Sequence, residues 1–96
     1  MASVYILYSK SLNQFHIGST KNLQQRLTYH LQKEFKGSYT VKANDWELFF
    51  EISDLSLTTA IKIEAHIKRM KSRKYLTDLK EYPEMKERLI QKYNNA

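Results

Sequence analysis

The sequence predicts an α+β fold in which a small three-stranded sheet is flanked by helices, in the order β-β-α-β-α-α. Three short segments rich in aliphatic and aromatic residues indicate strands, and three longer segments with apolar residues at helical spacing indicate helices. Polar, turn-forming residues separate these segments. The chain has 96 residues, of which 42% are hydrophobic. This length and composition predict a single domain, residues 1–96, with one modest core.

The composition narrows the class of protein. The absence of cysteine excludes disulfides and a thiolate zinc site. The longest early apolar run, residues 4–7, is too short for a signal peptide or a membrane span, so we expect a cytoplasmic protein that uses no membrane. The net charge of +6 favours a polyanionic partner, above all nucleic acid. The alternative is a basic surface that serves solubility alone.

The first two strands are predicted to form a hairpin. They span residues 3–9 and 14–18, and polar residues suited to a turn connect them. A connection of two or four residues would place Tyr5 and His16 on the same face of the sheet. A slip of one residue would separate them, because side chains alternate between faces.

A helix is predicted after Gly18, with Ser19 or Thr20 as its N-cap. It continues to about Leu31, and its core-facing row is Leu23, Leu27 and Leu31. Arg26 and His30 lie one turn apart on a neighbouring flank, where both can act on a group beside the helix. Residues 32–45 are predicted to form an irregular connection.

The third strand is predicted at residues 46–52, with a large interior face made of Trp46, Leu48, Phe50 and Ile52. Core packing is favoured for Trp46, although Trp46 and Tyr39 are also of a type that stacks on exposed bases.

Two more helices follow the third strand. The first is predicted at residues 57–70 with Ser56 as its cap, and its apolar stripe is Ala60, Ile63, Ile67 and Met70. The last begins at Pro83, and its inward row is Met85, Leu89 and Tyr93.

A single carboxylate, Glu64, stands in the strongly basic stretch 62–74, which is predicted to be helical. At the rim of the apolar stripe it is partly shielded from water, which suits a metal ligand. From the helix alone, an ordinary surface ion pair with Lys68 is the better interpretation. His66, on the same helix, is interpreted as a surface histidine.

Taken together, these residues resemble a known family. The resemblance is carried by Val4-Tyr5-Ile6, Phe15-His16-Ile17-Gly18, the segment from Gly18 to Arg26, His30 and Glu64. The order of these residues is that found in the GIY-YIG endonuclease domain. The resemblance covers about residues 3–79. Within the family, the chain is most similar to small single-domain bacterial members and to the N-terminal nuclease module of the UvrC excision-repair protein.

The resemblance implies a three-stranded antiparallel sheet and cleavage of phosphodiester bonds in DNA. It implies catalytic roles for Tyr5, His16, Arg26, His30 and Glu64, with Glu64 holding one Mg²⁺ or Mn²⁺ and Gly18 as a structural motif residue. Tyr5 would act as general base, Arg26 would grip the scissile phosphate, and His30 would orient the water or Tyr5. Each role has a structural alternative. Tyr5 would be a core residue, Arg26 a solvated helix residue, His30 a residue on the helix flank and His16 a plain strand residue.

The chain departs from the family pattern at two points. His16 occupies the place of the second motif's tyrosine, and an imidazole titrates near 6.5 where a phenol titrates near 10. The family's asparagine beyond the glutamate has no counterpart between Glu64 and Pro83, so the contact it makes is either missing or supplied by Lys74 or Thr77.

The basic side chains are expected to contact the DNA backbone rather than read bases. They are Lys36, Lys42, Lys68, Arg69, Lys71, Arg73 and Lys74. The leading hypothesis is a metal-dependent DNA endonuclease, and a catalytically inactive nucleic-acid-binding module is the alternative. Substrate specificity and oligomeric state stay open, and a protein partner is one source of specificity.

Overall fold

In a computed structural model of the protein, which describes residues 1–25 and 45–94, three strands form one antiparallel sheet. The central strand is β1 (Ala2–Ser9), with β2 (Gln14–Thr20) on one side and β3 (Trp46–Leu55) on the other. Helical backbone begins at Leu23, between β2 and β3. Three helices follow β3: α1 (Leu57–Met70), α2 (Arg73–Glu81) and α3 (Pro83–Asn94). The predicted α+β fold is confirmed, and the predicted elements occur in the predicted order.

Both faces of the central strand β1 are covered. On one face, Val4 and Ile6 join a helix-side core with residues of α1, α2 and α3. On the other face, Tyr5 and Leu7 pack with Trp46 in a second group, the Tyr5 cluster, against which Leu12 and Leu23 also lie. The apolar run of β1 therefore reflects burial on two sides rather than on one.

The prediction of one continuous interior face on β3 was wrong. Leu48 pairs with Leu7 and Phe50 pairs with Ile6, so one extra residue, Phe49, is inserted in β3. Such a bulge reverses the alternation of side chains along the strand. Trp46 and Leu48 therefore lie on the Tyr5 side, and Leu48 is 42% exposed. Phe49 and Phe50, with Ile52, belong to the helix side.

Asp45 ties the start of β3 to the β1–β2 hairpin. Its carboxylate accepts hydrogen bonds from the Ser9 hydroxyl at 2.7 Å and from the Ser11 backbone N–H at 2.7 Å. The Ser11 hydroxyl donates a third bond at 2.9 Å. The bond from Ser9, followed by that from the Ser11 backbone, lowers the pKa of the Asp45 carboxyl. Three donors on one carboxylate favour its charged form and fix the two chain segments together.

Helix α1 begins as predicted. The Ser56 hydroxyl accepts a hydrogen bond from the Thr59 N–H at 3.1 Å and so caps the first turn. Three residues of the predicted stripe are buried, but Met70 is 44% exposed. Met70 is the last residue of the helix, beyond the part that packs on the sheet.

The basic stretch 62–74 is not one helix, contrary to the prediction. Lys71 adopts a left-handed conformation with φ of 47°, which ends α1. Ser72 then caps α2, accepting a hydrogen bond from the Tyr75 N–H at 3.1 Å. Helix α2 was not predicted, because the lysines and arginines on both sides of the break are equally compatible with one longer helix.

Helix α3 begins at Pro83 as predicted. Leu89 is buried, and Met85 and Tyr93 pack against the helix-side core. Within the described part of the chain, no helix is both long and apolar enough to cross a membrane.

Candidate functional site

The hairpin register brings Tyr5, Gly18 and His16 to one face of the sheet. The connection between β1 and β2 has four residues, 10–13, so Tyr5 pairs with Gly18 and Leu7 pairs with His16. The ring centroids of Tyr5 and His16 are 6.1 Å apart. The buried Trp46 completes the group, with its ring edge-on to His16 at 6.3 Å. The sequence left this register open, and the four-residue connection decides it.

Gly18 provides the space that the Tyr5 ring occupies. A Cβ atom at position 18 would lie 2.5 Å from Tyr5 Oη and 2.6 Å from Cζ. Contacts this short do not occur between real side chains, so only glycine fits beneath the ring. The hydroxyl end of Tyr5 is therefore held directly over the β2 backbone, and the ring is only 3% exposed.

Glu64 reaches β2 from the other side of the sheet. The Ser19 hydroxyl donates a hydrogen bond of 2.5 Å to Glu64 Oε1. Lys68 Nζ lies 2.7 Å from Oε2, one helical turn further along α1. The Glu64 side chain is 19% exposed and that of Lys68 is 55% exposed. Both carboxylate oxygens thus have a donor, one from the sheet and one from the same helix.

Sequence reasoning missed the role of Ser19, which was assigned to a helix cap. β2 continues to Thr20, two residues beyond the predicted end, so Ser19 is a strand residue. The cap is Asn22, whose side-chain oxygen accepts a hydrogen bond from the Gln25 N–H at 3.0 Å. No local signal distinguishes Ser19 from Thr20 or Asn22, because all three are good caps.

Strand β2 links the two halves of the site. Gly18 faces the Tyr5 cluster, and the next residue, Ser19, points to α1, because successive side chains alternate across a strand. Within the part of the chain that the structure describes, β2 is an edge strand of the sheet. Tyr5 therefore lies against one face of β2 and Glu64 against the other, and His16 is a β2 residue on the Tyr5 face.

Several predicted site residues lie outside the described residues. These are the catalytic candidates on the first helix and the basic and aromatic candidates in the following connection: Arg26, His30, Lys36, Tyr39 and Lys42.

Most of the described basic candidates already have partners within the chain. Lys74 Nζ lies 3.1 Å from an Asp78 carboxylate oxygen. The Arg73 guanidinium donates to the backbone and side-chain oxygens of Asn13 and lies 5.4 Å from the centre of the Phe15 ring. The remaining two candidates are exposed: Arg69 donates to the Tyr93 hydroxyl at 3.4 Å, and Lys71 ends α1. Arg73 consequently has a structural role in holding the hairpin against α2.

His66 is not a plain surface histidine. Its Nδ1 lies 2.7 Å from the Tyr93 hydroxyl, so it joins α1 to α3. Burial lowers the pKa of the His66 imidazole, and the positive charges of Lys92 and Arg69 lower it further. Its ring is edge-on to that of Tyr93, which places it on the α3 side of its helix.

The donor atoms around Glu64 fit a weakly held hard cation. Mg²⁺ is bound in many proteins through one or two carboxylates, with water and substrate phosphate as its other ligands. No cluster of three or more His, Cys, Asp or Glu side chains that could hold a metal ion occurs among residues 1–25 and 45–94, so Glu64 would bind an ion without such a cluster from the described residues. Ser19 fixes one of its oxygens, and the other is held by Lys68, a cation that a metal ion would displace.

The carboxylate of Glu64 thus lies on one face of β2, and the rings of Tyr5 and His16 lie on the other. Residues 1–76 match the family model of the GIY-YIG catalytic domain. This match covers most of the chain, which therefore belongs to the GIY-YIG family. Proteins of this family are nucleases, and they generally use divalent metals. Searches among curated proteins and among solved structures found no match.

Proposed function

We propose that the protein is a divalent-metal-dependent endonuclease that hydrolyses phosphodiester bonds in DNA. One observation carries the proposal: Ser19 holds the Glu64 carboxylate against the strand whose preceding residue, Gly18, seats the Tyr5 ring. Elements distant in sequence are thereby held together by contacts that leave little freedom. A surface ion pair on α1 alone would not need a second donor from the sheet.

Glu64 is the proposed metal ligand. A bound Mg²⁺ or Mn²⁺ would neutralise charge on the phosphate and lower the pKa of a bound water. Ser19 restricts the orientation of the carboxylate by occupying Oε1, which leaves Oε2 for the ion once Lys68 withdraws. An outer partner of this kind is a common way of fixing a metal ligand.

Of Tyr5 and His16, His16 is proposed to accept the proton from the attacking water. Its ring is half-buried, whereas Tyr5 is 3% exposed. A free imidazole titrates near 6.5 and a phenol near 10, so histidine accepts a proton at neutral pH at a lower energetic cost. Tyr5 then positions His16 and the β2 backbone. Arg26 is proposed to bind the scissile phosphate, and His30 to orient the water, both on the family resemblance.

The substrate is proposed to be branched or damaged DNA, processed in repair in the cytoplasm or at the nucleoid. The described basic residues around the α1–α2 junction would contact phosphates, and they carry no evident base-reading pattern. A partner protein would supply specificity.

Cleavage assays test the proposal directly. Nicked, flapped, branched and plain duplex DNA would be incubated with and without Mg²⁺ or Mn²⁺, using the parent protein, Glu64→Gln and Glu87→Gln. Glu87 is an exposed carboxylate on α3 and serves as the matched control. We expect metal-dependent cleavage that Glu64→Gln reduces by about 100-fold or more and that Glu87→Gln leaves intact. Cleavage that needs no metal, or that survives Glu64→Gln, would show the proposal to be wrong.

The alternative is a catalytically inactive nucleic-acid-binding module. The observation in its favour is the Lys68 ammonium bound to Glu64 Oε2, where it excludes another cation. A protein of this kind would bind DNA in a salt-sensitive manner without cleavage, and Glu64→Gln would not weaken that binding.

A further inference from the structure

A cleft opens between β2 and the junction of α1 with α2. Its volume is about 330 Å³, and its walls come from residues 13–17 and 67–76. Its lining includes Ile17, Ile67, Lys68, Lys71 and Arg73.

The charges around the cleft fit an anionic occupant. Lys68, Lys71 and Arg73 line it, and no aspartate or glutamate is among the described residues that do so. Ile17 and the buried Ile67 make part of the wall apolar. An apolar wall bordered by cations suits the sugar and phosphate of a nucleic-acid strand, which present an apolar ribose edge and a negative group together.

Lys68 belongs to this cleft and to the Glu64 site at once. It lines the cleft, and its Nζ is 2.7 Å from Glu64 Oε2. Two cations cannot share one carboxylate oxygen at contact distance without strong mutual repulsion, so a metal ion on Oε2 displaces the ammonium. The lysine stem is flexible and its side chain is 55% exposed, so it is free to turn to the cleft.

We propose that the cleft binds a backbone phosphate of the DNA strand and that Lys68 exchanges between Glu64 and this phosphate. Phosphate binding draws Lys68 away from Oε2 and opens the carboxylate to the metal, while Ser19 keeps Oε1 in place. Metal binding releases Lys68 to the phosphate in turn. The two ligands therefore bind with positive coupling, which is reciprocal by thermodynamic necessity. The inference rests on the proposed function, since it assumes that Glu64 is a metal ligand.

Calorimetric titration with Mn²⁺ tests the exchange. The probe is a short single-stranded oligonucleotide with phosphorothioate linkages that resist cleavage, present or absent during the titration. The proteins compared are the parent, Lys68→Met, Lys68→Arg and Lys62→Met. Lys62 is an exposed lysine of the same helix that does not line the cleft, so it controls for the loss of one charge. Thermal unfolding of each variant verifies that it is folded.

In the parent protein, the oligonucleotide should tighten Mn²⁺ binding by about fivefold or more. Without DNA, Lys68→Met should bind Mn²⁺ about two- to fivefold more tightly than the parent protein. The substitution removes the Lys68–Glu64 ion pair that competes with the metal, and an exposed ion pair contributes only a small free energy. The coupling in Lys68→Met should be weaker than that of the parent protein, because only direct contact between the ion and substrate phosphate would remain. Lys68→Arg, which keeps the charge, should retain the coupling, and Lys62→Met should behave as the parent.

Undiminished coupling in Lys68→Met, or its absence in the parent protein, would overturn the inference. So would unchanged Mn²⁺ affinity of Lys68→Met without DNA. None of these results affects the Glu64→Gln cleavage assay, which tests the nuclease proposal separately. Conversely, parent protein that binds no Mn²⁺ and cuts no DNA would defeat the nuclease proposal itself.

Discussion

Replacing Gly18 with alanine is expected to destabilise the protein through a single contact. The new Cβ atom would lie 2.5 Å from Tyr5 Oη and 2.6 Å from Cζ, whereas ordinary contact begins at 3.4 Å. The ring must therefore withdraw by about 0.9 Å, a displacement comparable to those that overpacking forces on cores. Tyr5 is 3% exposed and packs against Leu7 and Trp46, which leaves the ring little room to move.

Overpacking of this kind costs about 1–3 kcal/mol. In a domain of this size each kcal/mol corresponds to a fall in Tm of roughly 4–8 °C. Urea denaturation and thermal unfolding of Gly18→Ala measure both quantities. Alanine has a better strand propensity than glycine, so any loss of stability comes from the contact and not from the backbone.

The decisive comparison uses Tyr5→Leu, because leucine has neither Cζ nor Oη. In that background Gly18→Ala should cost almost nothing, and the double-mutant cycle should give a coupling energy of about 1–3 kcal/mol. Equal stability of Gly18→Ala and the parent protein would refute the reasoning. An equal loss in both backgrounds would show that the cost does not arise from the Tyr5 ring.

Three further predictions concern groups around the fold. Ser19→Ala should weaken Mn²⁺ binding by about 10–100-fold, because the carboxylate of Glu64 loses its partner from the sheet; calorimetry with Thr20→Ala as the control checks this, and equal affinities would contradict it. The pKa of His66 is lowered in the folded state, so the unfolded chain takes up a proton first and stability should fall as the pH drops below about 6.5. Urea denaturation between pH 5 and 8 should show this fall, and His66→Gln should remove it. The pKa of Asp45 is also lowered, so its contribution is present above about pH 3.8 and is lost as the pH falls through the lower, folded-state pKa. Asp45→Asn should abolish that part of the acid dependence, and a denaturation profile identical to that of the parent would contradict the hydrogen-bond assignment.

Local sequence patterns were sufficient for most of the secondary structure. The Ser56 cap and the Pro83 start were predicted at the correct residues, because capping chemistry depends on only a few neighbouring positions. The ordered set of Tyr5, His16, Gly18, Arg26, His30 and Glu64 was likewise enough to indicate the family, which the match over residues 1–76 confirms.

Local patterns were misleading where tertiary contacts or a single backbone angle determine which face a side chain occupies or where a helix ends. The bulge at Phe49 moved half of the β3 face to the opposite side of the sheet, which no periodicity in the strand reveals. A left-handed residue at Lys71 divided the basic stretch into two helices. Both features depend on how the chain packs.

The sequence by itself determined the family of the protein and the order of its elements apart from α2, and it singled out Glu64 as the candidate metal ligand. Only the tertiary structure decided what that carboxylate touches. Ser19 and Glu64 are 45 residues apart, and their contact requires β2 to extend past Gly18 and α1 to dock beside it. Such contacts depend on strand register and helix docking, which are set by the whole core and not by the residues that meet.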